Sequence, residues 1–189
     1  MTLVHQPKRM KTLKFILTLA AVTLTALPLL AQERRISPHE TVSGVIDGCR
    51  VTVTYGRPYT TKPGTAEARK IWGGLVPYGK VWRLGADEAT TLITQKPLVF
   101  GDTTVPAGAY TLYLLPQADG AKLIINKQLG QWGTQYSEAQ DLARIDMKKT
   151  ALDEPPHQLT IAIARNPGGG VLKVMWEDVE YSATFTVQK

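Results

Sequence analysis

Alternating apolar and polar positions recur in short runs along the chain and predict β-strands. In Cys49–Arg57, the side chains of Val51, Val53 and Tyr55 share one face, with threonines on the other. Val179–Val187 repeats this alternation near the C-terminus. Successive side chains of a strand point to opposite faces of a sheet, so each run is expected to bury one face and expose the other.

Further strand candidates are separated by turns rich in Gly, Pro, Asn and Asp. They are Thr41–Asp47, Ala89–Gln95, Leu98–Phe100, Tyr110–Leu115, Ala121–Asn126, Ile145–Thr150, Leu159–Ala164 and Val171–Trp176. Helix-forming residues fill Ser137–Arg144, which is too short to form a stable helix by itself. Roughly eight to ten short strands without a long amphipathic helix predict an all-β fold, which we interpret as an antiparallel β-sandwich with long Gly/Trp-rich loops.

The first residues have the pattern of a secretory signal peptide. Four basic residues precede the apolar run Phe15–Leu30, and the small residue Ala31 suits a cleavage site. The run is about 16 residues long, shorter than the roughly 20 that span a bilayer, which argues against an uncleaved anchor. We therefore expect 1–31 to be a signal peptide and 32–189 to be one exported domain, periplasmic or extracellular, without a membrane span.

Charge and cysteine content narrow the expected partners. The chain has a formal net charge of +6, but four of its positive charges belong to the leader, which has no acidic residue. Residues 32–189 therefore carry about +2, which gives no reason to expect binding to nucleic acid. The one cysteine, Cys49, cannot form an intramolecular disulfide, and at the start of a strand it is expected to be a small buried hydrophobic residue.

Two segments interrupted by glycines combine aromatic and polar residues. We call Arg69–Thr90 (RKIWGGLVPYGKVWRLGADEAT) the first loop and Lys127–Tyr136 (KQLGQWGTQY) the second loop. Aromatic rings offer flat apolar surfaces, and guanidinium groups pair with carboxylate or phosphate. We predict a surface for a small molecule, glycan or protein, formed by Arg57, Arg69, Trp72, Tyr78, Trp82, Arg83, Glu88, Trp132 and Tyr136. In the alternative interpretation, the two loops pack on each other and only plug one end of the fold.

Acidic and histidine residues define an enzymatic alternative. A hydrolase acting on carbohydrate or a small ester would use Glu88 or His39 as its acid or base. Adjacent residues of an extended chain point to opposite faces, so Asp87 and Glu88 cannot both serve one site if the backbone is extended there. Glu88 is instead expected to pair with Arg83 or Arg69 and to hold the first loop in place.

The sequence does not predict a metal site or a cofactor. Residues 32–189 contain only two histidines, His39 and His157, and their spacing is not diagnostic of a metal-ligand set. The pair His39-Glu40 is interpreted as part of a polar surface segment. Nucleotide-binding and hydrolase motifs such as the Walker loop, HExxH and GxSxG are missing from the sequence.

Four long segments carry a family resemblance that runs from about Ser37 to the C-terminus. They read SPHETVSGVIDGCRVTVTYGRP, RKIWGGLVPYGKVWRLGADEATTL, VPAGAYTLYLLP and NKQLGQWGTQY. In this order they resemble family 2911 of the bacterial domains of unknown function. The resemblance implies an exported, mostly β domain and supplies no activity or catalytic residue. The family pattern carries Asn at Asp87 and a small residue at Cys49, which argues against a mechanism that rests on either.

These observations favour an exported ligand-binding domain of the bacterial envelope. The hydrolase stays open as one alternative. A structural module whose loops dock a partner protein is another.

Overall fold

Eleven antiparallel strands make up nearly all the regular structure of residues 35–189, the part of the chain that this computed structural model describes. The strands are β1 (His39–Ile46), β2 (Cys49–Gly56), β3 (Thr91–Thr94), β4 (Leu98–Phe100), β5 (Thr103–Val105), β6 (Gly108–Pro116), β7 (Gly120–Asn126), β8 (Asp141–Ala151), β9 (Thr160–Asn166), β10 (Gly169–Trp176) and β11 (Val179–Val187). A single turn of 3-10 helix lies at Glu138–Gln140. The predicted signal peptide, residues 1–31, lies outside the described residues.

Nine of the strands form one continuous path that nearly closes on itself. Their order is β1-β2-β3-β6-β7-β8-β11-β10-β9, while β4 pairs with β11 and β5. The two ends of the path, β1 and β9, lie against each other. They are so close that a Cβ placed on Gly44 in β1 would come within 2.7 Å of Cγ2 of Ile163 in β9. The predicted all-β, antiparallel fold is confirmed, whereas its arrangement as a sandwich stays a prediction.

The alternating runs form the core as the sequence predicts. Val51 and Val53 of β2 and Tyr181 of β11 are fully buried, or nearly so, in one hydrophobic cluster. Cys49 is also fully buried, with its sulfur 3.4 Å from Oγ1 of Thr94. The interpretation of this cysteine as a small core residue is therefore confirmed.

The strand boundaries differ from the predictions where tertiary pairing overrides local preference. The structure has eleven strands rather than eight to ten, and the short strand Thr103–Val105 was not predicted. β8 begins at Asp141 rather than Ile145, because Ala143 pairs with Ile125 of β7 despite the helix-forming residues around it. Within residues 35–189, no helix has both the length and the apolar character needed to cross a membrane.

Candidate functional site

A cleft of about 540 Å³ opens beside the first loop and reaches the second loop. Four of the predicted binding residues line it, namely Arg69, Trp82, Arg83 and Tyr136. Tyr59 and Asp87 line it as well. A volume in this range suits a small organic molecule rather than a single ion or a water molecule.

Backbone hydrogen bonds hold the two loops against each other. The N–H of Gly133 donates to the carbonyl of Asp87 at 2.9 Å, and the N–H of Ala89 donates to that of Gln131 at 3.2 Å. The first loop is also tied to β6, since Trp82 and Leu114 exchange backbone hydrogen bonds of 2.7 and 2.8 Å. These ties position the cleft residues of both loops on the sheet.

Indole and phenol rings pack beneath the first loop. The Trp72 ring is buried, and its Nε1–H donates to the carbonyl of Trp176 at 2.9 Å. It meets Trp82, Trp176 and Tyr181 edge-on, with ring centroids 5.9, 6.3 and 5.0 Å away. The half-buried Trp82 ring stacks on Trp176 at 5.5 Å and lines the cleft. Trp72 therefore supports the cleft from below and does not line it.

Two residues that line the cleft, Arg69 and Trp176, each have a buried donor without a partner among the described residues. Nε of Arg69 and Nε1 of Trp176 are both buried and unpaired. The Arg69 guanidinium lies 6.0 Å from the centroid of the Trp176 ring, and its Nη2 donates to the carbonyl of Tyr59. Burial lowers the pKa of Arg69 below its ordinary value. Because nearly all buried polar groups in proteins find a hydrogen-bond partner, two orphan donors at one cavity call for an acceptor.

Tyr136 sits in a polar network on the other side of the cleft. Its hydroxyl donates to Oδ2 of Asp141 at 2.7 Å and accepts from Nη2 of Arg144 at 3.0 Å. Burial, reinforced by the hydrogen bond to Asp141, raises the pKa of Tyr136 to about 12. Its ring packs edge-on against Tyr113 at 4.8 Å. The sequence analysis did not identify Asp141 and Arg144 as site residues. They lie in the first residues of β8, where helix-forming residues gave no sign of a strand.

Arg57, another of the predicted binding residues, serves a structural role. Arg57 pairs with Glu40 at 2.8 Å and donates to the carbonyl of Leu159 and the hydroxyl of Thr160, each at 3.0 Å. It therefore ties the end of β2 to the start of β9.

Tyr78 and Trp132 lie outside the cleft. Tyr78 lines a second, smaller groove of about 320 Å³, where the ammonium of Lys149 lies 5.7 Å from its ring centroid. Trp132 is 47% exposed, although its neighbour Gln131 is buried. The nine predicted residues therefore do not form one surface.

The remaining predicted residue, Glu88, belongs to a cluster with His39 and Asp87. Its Oε2 lies 3.1 Å from Nε2 of His39, and one ligand atom of each of the three residues lies within 4.8 Å of the others. The expectation that Asp87 and Glu88 cannot serve one site assumed an extended backbone, and that assumption is wrong because Asp87 has a left-handed backbone (φ 63°). The two arginines expected to pair with Glu88 donate to backbone carbonyls instead. Nε of Arg83 donates to the carbonyl of Gly85, and Nη2 of Arg69 donates to the carbonyl of Tyr59.

The side chains of the neighbouring residues His39 and Glu40 have different partners. Consecutive strand residues point to opposite sides, so His39 approaches Glu88 while Glu40 faces Arg57. His157, the other histidine of the predicted domain, does not belong to the cluster.

Comparison with known proteins gives one match. The family model described as "Protein of unknown function (DUF2911)" matches residues 37–185. No curated protein and no solved structure matches the chain.

Proposed function

Since this chain belongs to the DUF2911 family, whose description assigns no activity, we propose from the geometry alone that the cleft binds a small organic acid. The observation that carries this proposal is that two residues lining the cleft, Arg69 and Trp176, each have a buried donor without a partner, Nε and Nε1. Both atoms can only donate, so the ligand must present an acceptor.

The charge of the guanidinium makes an anionic acceptor the best fit. Hydrogen bonds from arginine to a carboxylate are roughly twice as strong as those between neutral groups, and burial strengthens them further. A carboxylate beside Arg69 would also offset the cost of burying that guanidinium.

The aromatic residues define the rest of the ligand. Trp82 and Tyr136 contribute rings to the cleft from separate loops, and Tyr59 adds a third from the connector before the first loop. Rings of this kind pack favourably on flat apolar groups. The ligand class is therefore a carboxylic acid with a planar or ring-containing body.

Calorimetric titration with naphthalene-2-carboxylate tests this proposal, with 2-naphthalenemethanol as the uncharged control ligand. We expect the carboxylate to bind at least about tenfold more tightly than the alcohol, the effect of one charged hydrogen bond. Arg69→Met should abolish this preference. Lys70→Met removes the same charge from the next, exposed position and should preserve it. Equal affinities of the wild-type protein for acid and alcohol would contradict the proposal.

The proposed setting is the bacterial envelope, outside the cytoplasm. This part rests on the leader pattern of residues 1–31, with cleavage near Ala31. Cell fractionation with mass spectrometry of the N-terminus tests it. The full-length chain recovered from the cytoplasm would contradict export.

Hydrolysis of a small ester or a carbohydrate is a second candidate function, favoured by the contact between His39 and Glu88. A carboxylate beside a histidine can orient the imidazole as a general base. Assays with p-nitrophenyl acetate and p-nitrophenyl glycosides should then show turnover that Glu88→Gln abolishes without changing the melting temperature. Full turnover in that variant would exclude this function for Glu88.

A further inference from the structure

His39, Asp87 and Glu88 come from two distant parts of the chain and meet at the edge of the cleft. His39 is the first residue of β1, whereas Asp87 and Glu88 lie near the end of the first loop. The second loop fixes the acidic pair, because Glu88 forms a β-bridge with Trp132 and the Asp87 carbonyl accepts from Gly133. The backbones that carry the three side chains are thus held by the sheet and by both loops.

The three side chains offer the ligand atoms of a metal site. An imidazole nitrogen and two carboxylate oxygens lie within 4.8 Å of one another, with 3.1 Å between His39 Nε2 and Glu88 Oε2. Around a tetrahedral zinc ion with bonds of about 2.1 Å, ligand atoms are separated by about 3.4 Å. The 3.1 Å between His39 Nε2 and Glu88 Oε2 is already close to that separation.

We propose that His39, Asp87 and Glu88 bind one divalent transition-metal ion at the rim of the cleft. Three protein ligands leave at least one coordination position open, as in zinc sites that receive a water or a substrate. Asp87 brings a second carboxylate to the same point, and a divalent cation would offset the repulsion between the two negative charges.

The position of Asp87 connects this ion to the cleft. Asp87 lines the same cavity as Arg69 and Trp176, the two residues with a buried, unpaired nitrogen. A bound organic acid would then meet the guanidinium at one end and the open metal position at the rim. This connection rests on the proposed function, whereas binding of the ion itself does not.

Titration of the untagged protein with Zn²⁺ and Co²⁺, without any organic acid, tests the site. We expect one ion per chain by calorimetry and a visible absorption band with Co²⁺. We expect Zn²⁺ binding to weaken at least about tenfold in each of the variants His39→Gln, Asp87→Asn and Glu88→Gln. Loss of a residue that only hydrogen-bonds to a metal ligand already weakens metal binding by about this factor. His157→Gln, at the other histidine of residues 35–189, is the matched control and should leave the affinity unchanged.

Melting temperatures distinguish a lost ligand from a damaged fold. Without metal, all the variants should melt near the melting temperature of the wild-type protein. Zn²⁺ should raise the melting temperature of the wild-type protein and of His157→Gln only, because an ion that binds the native state stabilises that state. Weak binding of several ions, or equal losses in His157→Gln and His39→Gln, would overturn the metal site. Neither result would affect the expected preference for naphthalene-2-carboxylate, which is measured without metal.

Discussion

The first and second loops have similar compositions but use their tryptophans in opposite ways. In the first loop, Trp72 is 4% exposed and its ring is enclosed by Trp176 and Tyr181 from the last two strands. In the second loop, Trp132 is 47% exposed. Glycine and aromatic content therefore identified segments that matter to the fold, but it did not distinguish a ring that supports the cleft from one that faces solvent.

The difference follows from what each segment lies over. The first loop crosses the rings of β10 and β11, so an inward-facing indole finds both a packing surface and the carbonyl of Trp176. The second loop is bridged to the first at Glu88 and Trp132, and there the buried inward position belongs to Gln131. The alternation of neighbouring side chains then turns Trp132 outward.

The largest expected effect is that of Trp72→Ala. Removing a buried indole that touches three other rings should lower the free energy of unfolding by about 3–5 kcal/mol. Urea denaturation of the variant and of the wild-type protein measures this. A loss below about 1 kcal/mol would show that the ring cluster does not support the cleft.

Gly133→Ala should have the next largest effect, because a side chain at this position would push the two loops apart. A Cβ on Gly133 would lie 2.7 Å from Cδ of Arg83 and 2.9 Å from the carbonyl oxygen of Asp87. Crowding of this kind costs about 1–3 kcal/mol, and here it should also weaken binding of naphthalene-2-carboxylate.

Gly120→Ala is the matched control for that substitution, since its added Cβ would meet one atom, the carbonyl oxygen of Met147, at 3.2 Å. Equal losses of stability and of binding in both variants would refute the specific role of the contact between the loops.

Tyr136→Phe should cost about 1 kcal/mol at pH 8, because the hydroxyl bonds to both Asp141 and Arg144. The folded pKa of about 12 lies above the ordinary tyrosine value near 10. The stabilising contribution is therefore complete below pH 10 and is lost as the pH rises towards 12.

Unfolding experiments between pH 8 and 11.5 check this prediction. The alkaline loss of stability should be smaller in the variant than in the wild-type protein, and some loss should persist because burial also raises the pKa of Tyr55, to about 12. An identical pH dependence in both proteins would contradict the role assigned to the Tyr136 hydroxyl.

The smallest effect is expected for Trp132→Ala. An exposed side chain outside the cleft should change the unfolding free energy by less than about 0.5 kcal/mol. The same substitution should remove most of the tryptophan fluorescence that iodide quenches. Strong quenching that survives in the variant would mean that Trp72 or Trp82 is more accessible than the structure shows.

Strand periodicity allowed much of the fold to be predicted. Leu98–Phe100 and Val179–Val187 have the predicted limits, because their alternation is bounded by clear turn residues. Thr103–Val105 and the start of β8 were missed, because cross-strand pairing, rather than local preference, makes these residues extended.

The site could be predicted only in part. Arg69, Trp82 and Tyr136 were identified from loop composition, whereas Trp176 read as an ordinary strand residue, because no sequence pattern shows that a buried indole N–H lacks a partner. The cluster with His39 was missed because the left-handed backbone of Asp87 cannot be inferred from the surrounding residues.

The most direct test of the proposed cleft is the NMR resonance of the Trp176 indole N–H, assigned with Trp176→Phe. Titration with naphthalene-2-carboxylate should shift this resonance in a saturable way and leave the indole resonance of Trp132 in place, since Trp176 lines the cleft and its indole N–H lacks a partner. The shift should disappear in Arg69→Met. A shift confined to Trp132, or a Trp176 shift that persists in Arg69→Met, would contradict the account.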